Sequence, residues 1–247
     1  MLKRAMRIGA LAVTGVVAGQ IAHAALRELP SFEGLDPSGT FGDAANPLLR
    51  IVIVGDSTIT APGLADPDDA WPRLVARHLA DRYHVELVSL AEGGAKTRDV
   101  LELQVPRAIG QVWDLAIVSV GSNDVLRLIP FWRLASRMDA IVEQLGAWSH
   151  QVVLFGVGDI GSIPRLPFPA DRIASMAGHV ADWAHRRSAR RYGVAKVDQW
   201  RLTTAAFNSG DHMFAADLFH PSEIGHQAWA HALLPTLEDA LAGVAAR

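Results

Sequence analysis

The residue best placed by sequence to do chemistry is Ser57. It follows Arg50-Ile51-Val52-Ile53-Val54-Gly55-Asp56, four consecutive β-branched residues that end at a glycine. Such a run, with no polar alternation, reads as a buried strand of a parallel sheet. The Ser57 hydroxyl then lies at the carboxyl end of that strand, where open α/β sheets bind ligands. A serine there is a candidate nucleophile if a base and an oxyanion site accompany it. Three other clusters could contribute: Glu92-Gly93-Gly94, Gly121-Ser122-Asn123-Asp124, and Asp217-Leu218-Phe219-His220-Pro221. Other chemistries lose their support. There are no cysteines, so disulfides, thiolate metal sites and cysteine nucleophiles are excluded. No His-Glu-x-x-His, Gly-x-Gly-x-x-Gly or Gly-x-x-x-x-Gly-Lys-Ser/Thr pattern occurs, and Ser57 does not sit in Gly-x-Ser-x-Gly.

Strands and helices must alternate to position these clusters. Strands are expected over 50–54, 84–90, 115–120, 151–155 and 194–197. Helices are expected over about 70–82, 97–104, 131–148, 171–191 and 222–241. In the first helix Trp71, Leu74, Val75, His78 and Leu79 recur at helical spacing. Alternation with short connections implies a parallel sheet covered on both faces. Right-handed crossovers then put every loop that follows a strand on one edge. Ser57, Gly93-Gly94, the segment 121–124 and the loop after Phe155 share that edge, which turns separate motifs into one candidate site.

Block by block, the chain resembles the SGNH (GDSL-type) hydrolase family. Gly55-Asp56-Ser57 is similar to its first block. Gly93-Gly94 falls where the family keeps its second-block glycine. Gly121-Ser122-Asn123-Asp124 resembles the third block, and Asp217-x-x-His220 the last. The resemblance runs from Leu48 to the end. It implies a three-layer α/β/α sandwich, flavodoxin-like, with a five-stranded parallel sheet in the order 2-1-3-4-5. It also implies ester hydrolysis through a covalent acyl-enzyme, with no metal or organic cofactor and an acyl ester or lipid as substrate. Ser57 would attack the carbonyl, His220 would act as general base, and Asp217 would orient the imidazole. Positions three apart meet on one side of a turn, so the carboxylate can reach the ring. The oxyanion hole would use the backbone N–H of Ser57, the backbone N–H of Gly94 and the side-chain amide of Asn123, with Gly93 a one-residue alternative to Gly94. Asp198 is the rival orienter. Asp56 is expected to brace the serine turn and Asp124 to hold the third-block loop. His226 and His231 are expected to be structural or exposed. An acyltransferase with the same triad, or a non-catalytic envelope binding module, are the alternative functions.

Composition adds bounds. Half the residues are hydrophobic, a fifth are charged and the net charge is −3, which suits a globular domain with a large core and argues against nucleic acid as a partner. Lys3, Arg4 and Arg7 precede an apolar run, and Ala22-His23-Ala24 has a small-x-small form. Residues 1–26 therefore read as a secretory signal peptide or an N-terminal membrane anchor that places the domain outside the cytoplasm. Residues 27–47 hold Pro30, Pro37 and Pro47 and read as a linker, with the hydrolase domain over 48–247. Leu128-Ile129-Pro130-Phe131-Trp132 and Arg165-Leu166-Pro167-Phe168-Pro169 flank the active edge. They could wall an acyl groove or contact a membrane, with Arg127, Arg133 and Arg165 meeting an anionic headgroup.

Overall fold

The computed structural model describes residues 30–245. The expected signal peptide or anchor lies outside the described residues. Six strands form one sheet: β1 (Gly39–Phe41), β2 (Leu48–Gly55), β3 (His84–Ser89), β4 (Trp113–Ser119), β5 (Ser149–Leu154) and β6 (Ala195–Lys196). Their spatial order is β1-β3-β2-β4-β5-β6. The five strands from β2 onward are all parallel and stand in the order expected from the sequence. The sixth is an addition. Residues 39–41 pair antiparallel with β3, Gly39 opposite Leu87 and Phe41 opposite Val85. The expected linker therefore contains an edge strand. Arg73 fastens its approach by donating to the carbonyls of Pro37 and Ser38, and Ser38 Oγ accepts from the Ser89 amide at 3.0 Å.

The helices are α1 (Ser57–Thr60), α2 (Trp71–Leu79), α3 (Thr97–Asp99), α4 (Val105–Ala108), α5 (Ser122–Leu126), α6 (Phe131–Gly146), α7 (Ala170–Tyr192), α8 (Gln199–Phe207) and α9 (Glu223–Ala245). A π-helical turn, Val100–Gln104, joins α3 to α4. The helical stretch thus continues past Gln104, because Pro106 sits in the first turn of α4, where a missing N–H costs nothing.

Side chains alternate across the strands and build two cores. Val52, Val54, Ala116, Val118, Val152 and Leu154 face one side, against α6 and α7. Leu49, Ile51, Ile53, Leu115, Ile117 and Val153 face the other, against α2 and α9. Strands buried on both faces need continuous apolar sequence, which is what β2 and β4 carry. The result is a three-layer sandwich whose polar residues collect where the strands end.

Candidate active site

Ser57 is held by a sharp turn. Gly55 ends β2 at φ 156°, and a Cβ there would collide with the Ser119 carbonyl of β4, so only glycine fits. Asp56 caps α1: its Oδ1 accepts from the Thr58 amide at 2.9 Å. Ser57 begins α1, and its N–H has no acceptor among the described residues. The turn is braced from three sides. Trp71 Nε1 donates to the Thr58 carbonyl at 2.7 Å. The Thr58 and Ser119 hydroxyls lie 2.9 Å apart. Gln104, buried in the π-helical turn, accepts from Gly55 N–H at 2.7 Å and donates to Gly55 C=O at 2.8 Å.

Gly94 follows β3 in a turn closed by Ala95 N–H bonding to Glu92 C=O. Its φ of 76° favours glycine, and its N–H is also without an acceptor among the described residues. Asn123 lies in the first turn of α5. Its Nδ2 donates to the Ala95 carbonyl at 3.1 Å and, more weakly, to Asp56 Oδ2 at 3.4 Å. One amide therefore ties the serine turn to the Gly94 loop. Asp124 ties the same loop from behind, accepting from Thr97 N–H at 2.8 Å and Thr97 Oγ1 at 2.6 Å. Both aspartates are fully buried. Burial pushes the Asp56 carboxyl up to about 6, Asp124 adds to the rise, and the hydrogen bonds from Thr58 and Asn123 oppose it.

Asp217 and His220 sit on a turn between Phe214 and Pro221, which pair as an isolated bridge. Asp217 Oδ1 accepts from the amides of Phe219 and His220, each at 3.0 Å. Oδ2 meets His220 Nδ1 at 2.6 Å. The carboxylate accepts only, so Nδ1 carries the proton and Nε2 keeps the lone pair a general base needs. Leu218 takes the left-handed conformation, φ 54°, that lets the chain fold back on Asp217. Asp198 does not compete. It caps α8, accepting from Arg201 N–H, and pairs with the Arg201 guanidinium at 3.4 Å.

Ser57, Asn123 and His220 line one cavity of about 80 Å³. Asp217 stands behind His220, and Gly94 lies outside the cavity lining. Phe207, Phe214, Phe219 and Trp229 form aromatic walls, and Gln199, Thr203 and Thr204 add polar groups. The exposed side chains of Leu128, Phe131, Trp132 and Phe168 are not among the lining, although Leu126 and, from the loop after β5, Gly156, Gly158, Asp159, Ile160, Ser162 and Ile163 are. The loop after β5 thus walls the cavity through residues 156–163 rather than through Arg165–Pro169. His226 is fully buried, its Nδ1 accepts from Trp71 N–H at 3.2 Å, and its Nε2 has no partner among the described residues. His231 is exposed.

Gln104, Thr97 and Trp71 were not legible as site residues. Each acts by a bond to backbone or to a buried carboxylate across the fold. A lone polar residue in a helical stretch does not announce such a partner.

A serine and an asparagine beside a histidine with its own carboxylate, at the carboxyl edge of an α/β/α sheet, suit the breaking of acyl bonds. Residues 53–228 match the model of the GDSL-like lipase/acylhydrolase family. The chain belongs to that family and is a hydrolase. It is 28% identical over 256 aligned positions to GDSL-like esterase Rv1075c of Mycobacterium tuberculosis, covering 94% of this chain and 82% of that protein. Among solved structures it is similar to TesA, with a TM-score of 0.65, 22% identity, and 77% of this chain and 99% of that one covered. It is also similar to the acetyl xylan esterase Axe2 of Geobacillus stearothermophilus, with a TM-score of 0.61, 19% identity, and coverage of 79% and 95%. Those two likenesses speak for the fold.

Proposed function

We propose that the chain hydrolyses carboxylic esters through a covalent acyl-enzyme formed on Ser57. The observation that carries this reading is the 2.6 Å contact of Asp217 with His220 Nδ1, with His220 and Ser57 on the same cavity. In this mechanism His220 Nε2 takes the Ser57 proton as Oγ attacks the ester carbonyl. The negative oxygen is met by the free N–H groups of Ser57 and Gly94 and by Asn123, whose long bond to Asp56 is the one exchanged. Collapse expels the alcohol, which receives the proton from His220. Water then adds by the same route in reverse roles and releases the acid.

The cavity is small beside the several hundred Å³ of pockets that hold drug-sized ligands, and its walls are aromatic. Both features favour a short acyl group. The test is hydrolysis of p-nitrophenyl esters from acetyl to dodecanoyl by the full chain. Short esters are expected to turn over fastest, and Ser57→Ala and His220→Ala to be inactive but folded. Full activity in either variant would refute the triad. Transfer to an added alcohol in competition with water would identify an acyltransferase; ligand binding unaffected by Ser57→Ala, without turnover, would identify a binding module.

The basic start, apolar run and Ala22-His23-Ala24 site of the sequence support export, with residues 1–26 as a signal or an anchor. Mass measurement of the mature chain from the envelope tests it. An N-terminus near residue 25 means cleavage, and an intact chain in the membrane fraction means an anchor. An intact chain in the cytoplasm would refute export. Among the described residues no helix is long and apolar enough to cross a membrane.

A further inference from the structure

The segment from Arg127 to Tyr192 carries nine arginines against five acidic residues in a chain whose net charge is −3. Its outer surface is apolar as well as basic. Ile173, Met176, Val180 and Trp183 form an exposed stripe on α7 at helical spacing, with Met176 72% and Trp183 50% exposed. Phe131 and Trp132, at the start of α6, continue the stripe: the Phe131 ring lies edge-on to Trp183 at 6.3 Å and to Trp132 at 5.5 Å. Trp132 is 62% exposed. Leu128 and Phe168 are exposed too, two and five residues past the cavity-lining Leu126 and Ile163, which ties this apolar surface to the edge that carries the cavity.

The charges on this face differ from those elsewhere. Arg127, Arg133, Arg165 and Arg190 are exposed and have no carboxylate within ion-pairing distance among the described residues. Every other described lysine and arginine meets one. Within this segment three of the five acids are paired, Asp139 with Arg187 and Arg191, Asp171 with Arg172, and Asp182 with Arg186 and Lys196; Asp159 caps a turn beside the cavity and Glu143 accepts from Tyr192. From Arg172 to Tyr192 no carboxylate is exposed.

Exposed tryptophans beside unpaired arginines fit the interface of a bilayer, where indole rings settle at headgroup depth and arginines meet lipid phosphates. A protein partner would leave the one-sided charge unexplained unless it were strongly acidic. A second copy of the chain would bring arginines against arginines. We propose that this face docks on a lipid surface with anionic headgroups, turning the mouth of the Ser57 cavity toward the lipid. The inference does not depend on the chemistry at Ser57.

The chain has seven tryptophans and none precedes Trp71, so fluorescence separates this face from the N-terminal apolar segment. The full chain is mixed with vesicles of brominated phosphatidylcholine and phosphatidylglycerol, and with brominated phosphatidylcholine alone. Trp132 and Trp183 should be quenched by the anionic vesicles, and the quenching should vanish in the Trp132→Phe/Trp183→Phe double variant. Changing Arg127, Arg133, Arg165 and Arg190 to glutamine should raise the lipid needed about 10³-fold, at roughly 1 kcal/mol per arginine near an anionic surface. Vesicles that capture the chain without quenching would show that only the N-terminal segment binds, and would overturn the proposal. So would no capture at all. Self-association in sedimentation without lipid, abolished in the double variant, would assign the face to a second copy instead.

Discussion

Replacing His226 with asparagine should make the fold less sensitive to acid. His226 is fully buried between Trp71 and Trp229, and its Nδ1 is occupied by the Trp71 amide. Burial pushes its imidazole down to about 3, from an ordinary 6.5, and nearby His220 adds to the fall. In the unfolded chain it titrates normally. Below pH 6.5 the unfolded state therefore binds a proton that the native state refuses, and stability drops as pH falls from 6.5 toward 3. At pH 5 that difference is worth about 2 kcal/mol, at 1.36 kcal/mol for each pH unit of separation. Asp56 works in the opposite sense. Its carboxyl is raised from 3.8 to about 6 in the fold, so its contribution is present at low pH and lost as pH rises through 6. Because the variant keeps Asp56, comparing variant with wild type cancels that effect. Asparagine keeps an acceptor for Trp71 N–H and removes the titration, at a cost of about 1–2 kcal/mol for the space left by the ring. Urea unfolding followed by tryptophan emission, at about pH 7.5 and about pH 5, gives both numbers. The stability deficit of His226→Asn at the higher pH should close by about 2 kcal/mol at the lower. A deficit equal at both values would refute the picture of a buried, uncharged His226.

Three further outcomes follow from the site. Asp217→Asn puts an amide against His220 Nδ1 and favours the wrong tautomer, so ester turnover should fall steeply, though less than in Ser57→Ala; Asp198→Asn should be near wild type, and steady-state kinetics with the reverse ranking would move the orienter. Asn123→Ala should lower kcat by about 10²–10³ with little change in KM, as for loss of one oxyanion donor; a loss confined to KM would place Asn123 in substrate binding. Gln104→Met keeps the volume but leaves Gly55 N–H buried without an acceptor, which should cost about 1–3 kcal/mol in urea unfolding and slow turnover through the displaced serine turn. Unchanged stability there would mean that the π-helical turn does not hold β2.

The sheet was legible because parallel strands buried on both faces must be apolar without interruption, as Ile51–Val54 and Leu115–Val118 are. The edge strand Gly39–Phe41 was not, because three residues in a proline- and glycine-rich stretch carry no alternation; it is fixed by pairing to β3 and by Arg73. At the site, Ser57 and Asn123 could be placed together because each follows a strand at one edge, whereas Asp217 and His220 were joined to them by the resemblance of Asp217-x-x-His220 to the family's last block. The supports could not. Gln104 reaches Gly55 across 49 positions and Thr97 reaches Asp124 across 27, and such pairings appear only when the chain has folded. The basic, apolar face of α7 was half visible, since Ile173, Met176, Val180 and Trp183 have helical spacing, but spacing alone does not say whether a stripe faces the core or the solvent.

Covalent capture tests the proposed chemistry most directly. The full chain would be treated with a fluorophosphonate and digested, and the modified peptide sequenced by mass spectrometry. A single adduct on Ser57, absent in Ser57→Ala and strongly reduced in His220→Ala, is the expected result. An adduct on another residue, or none on a protein that hydrolyses esters, would contradict Ser57 as the nucleophile and with it the acyl-enzyme.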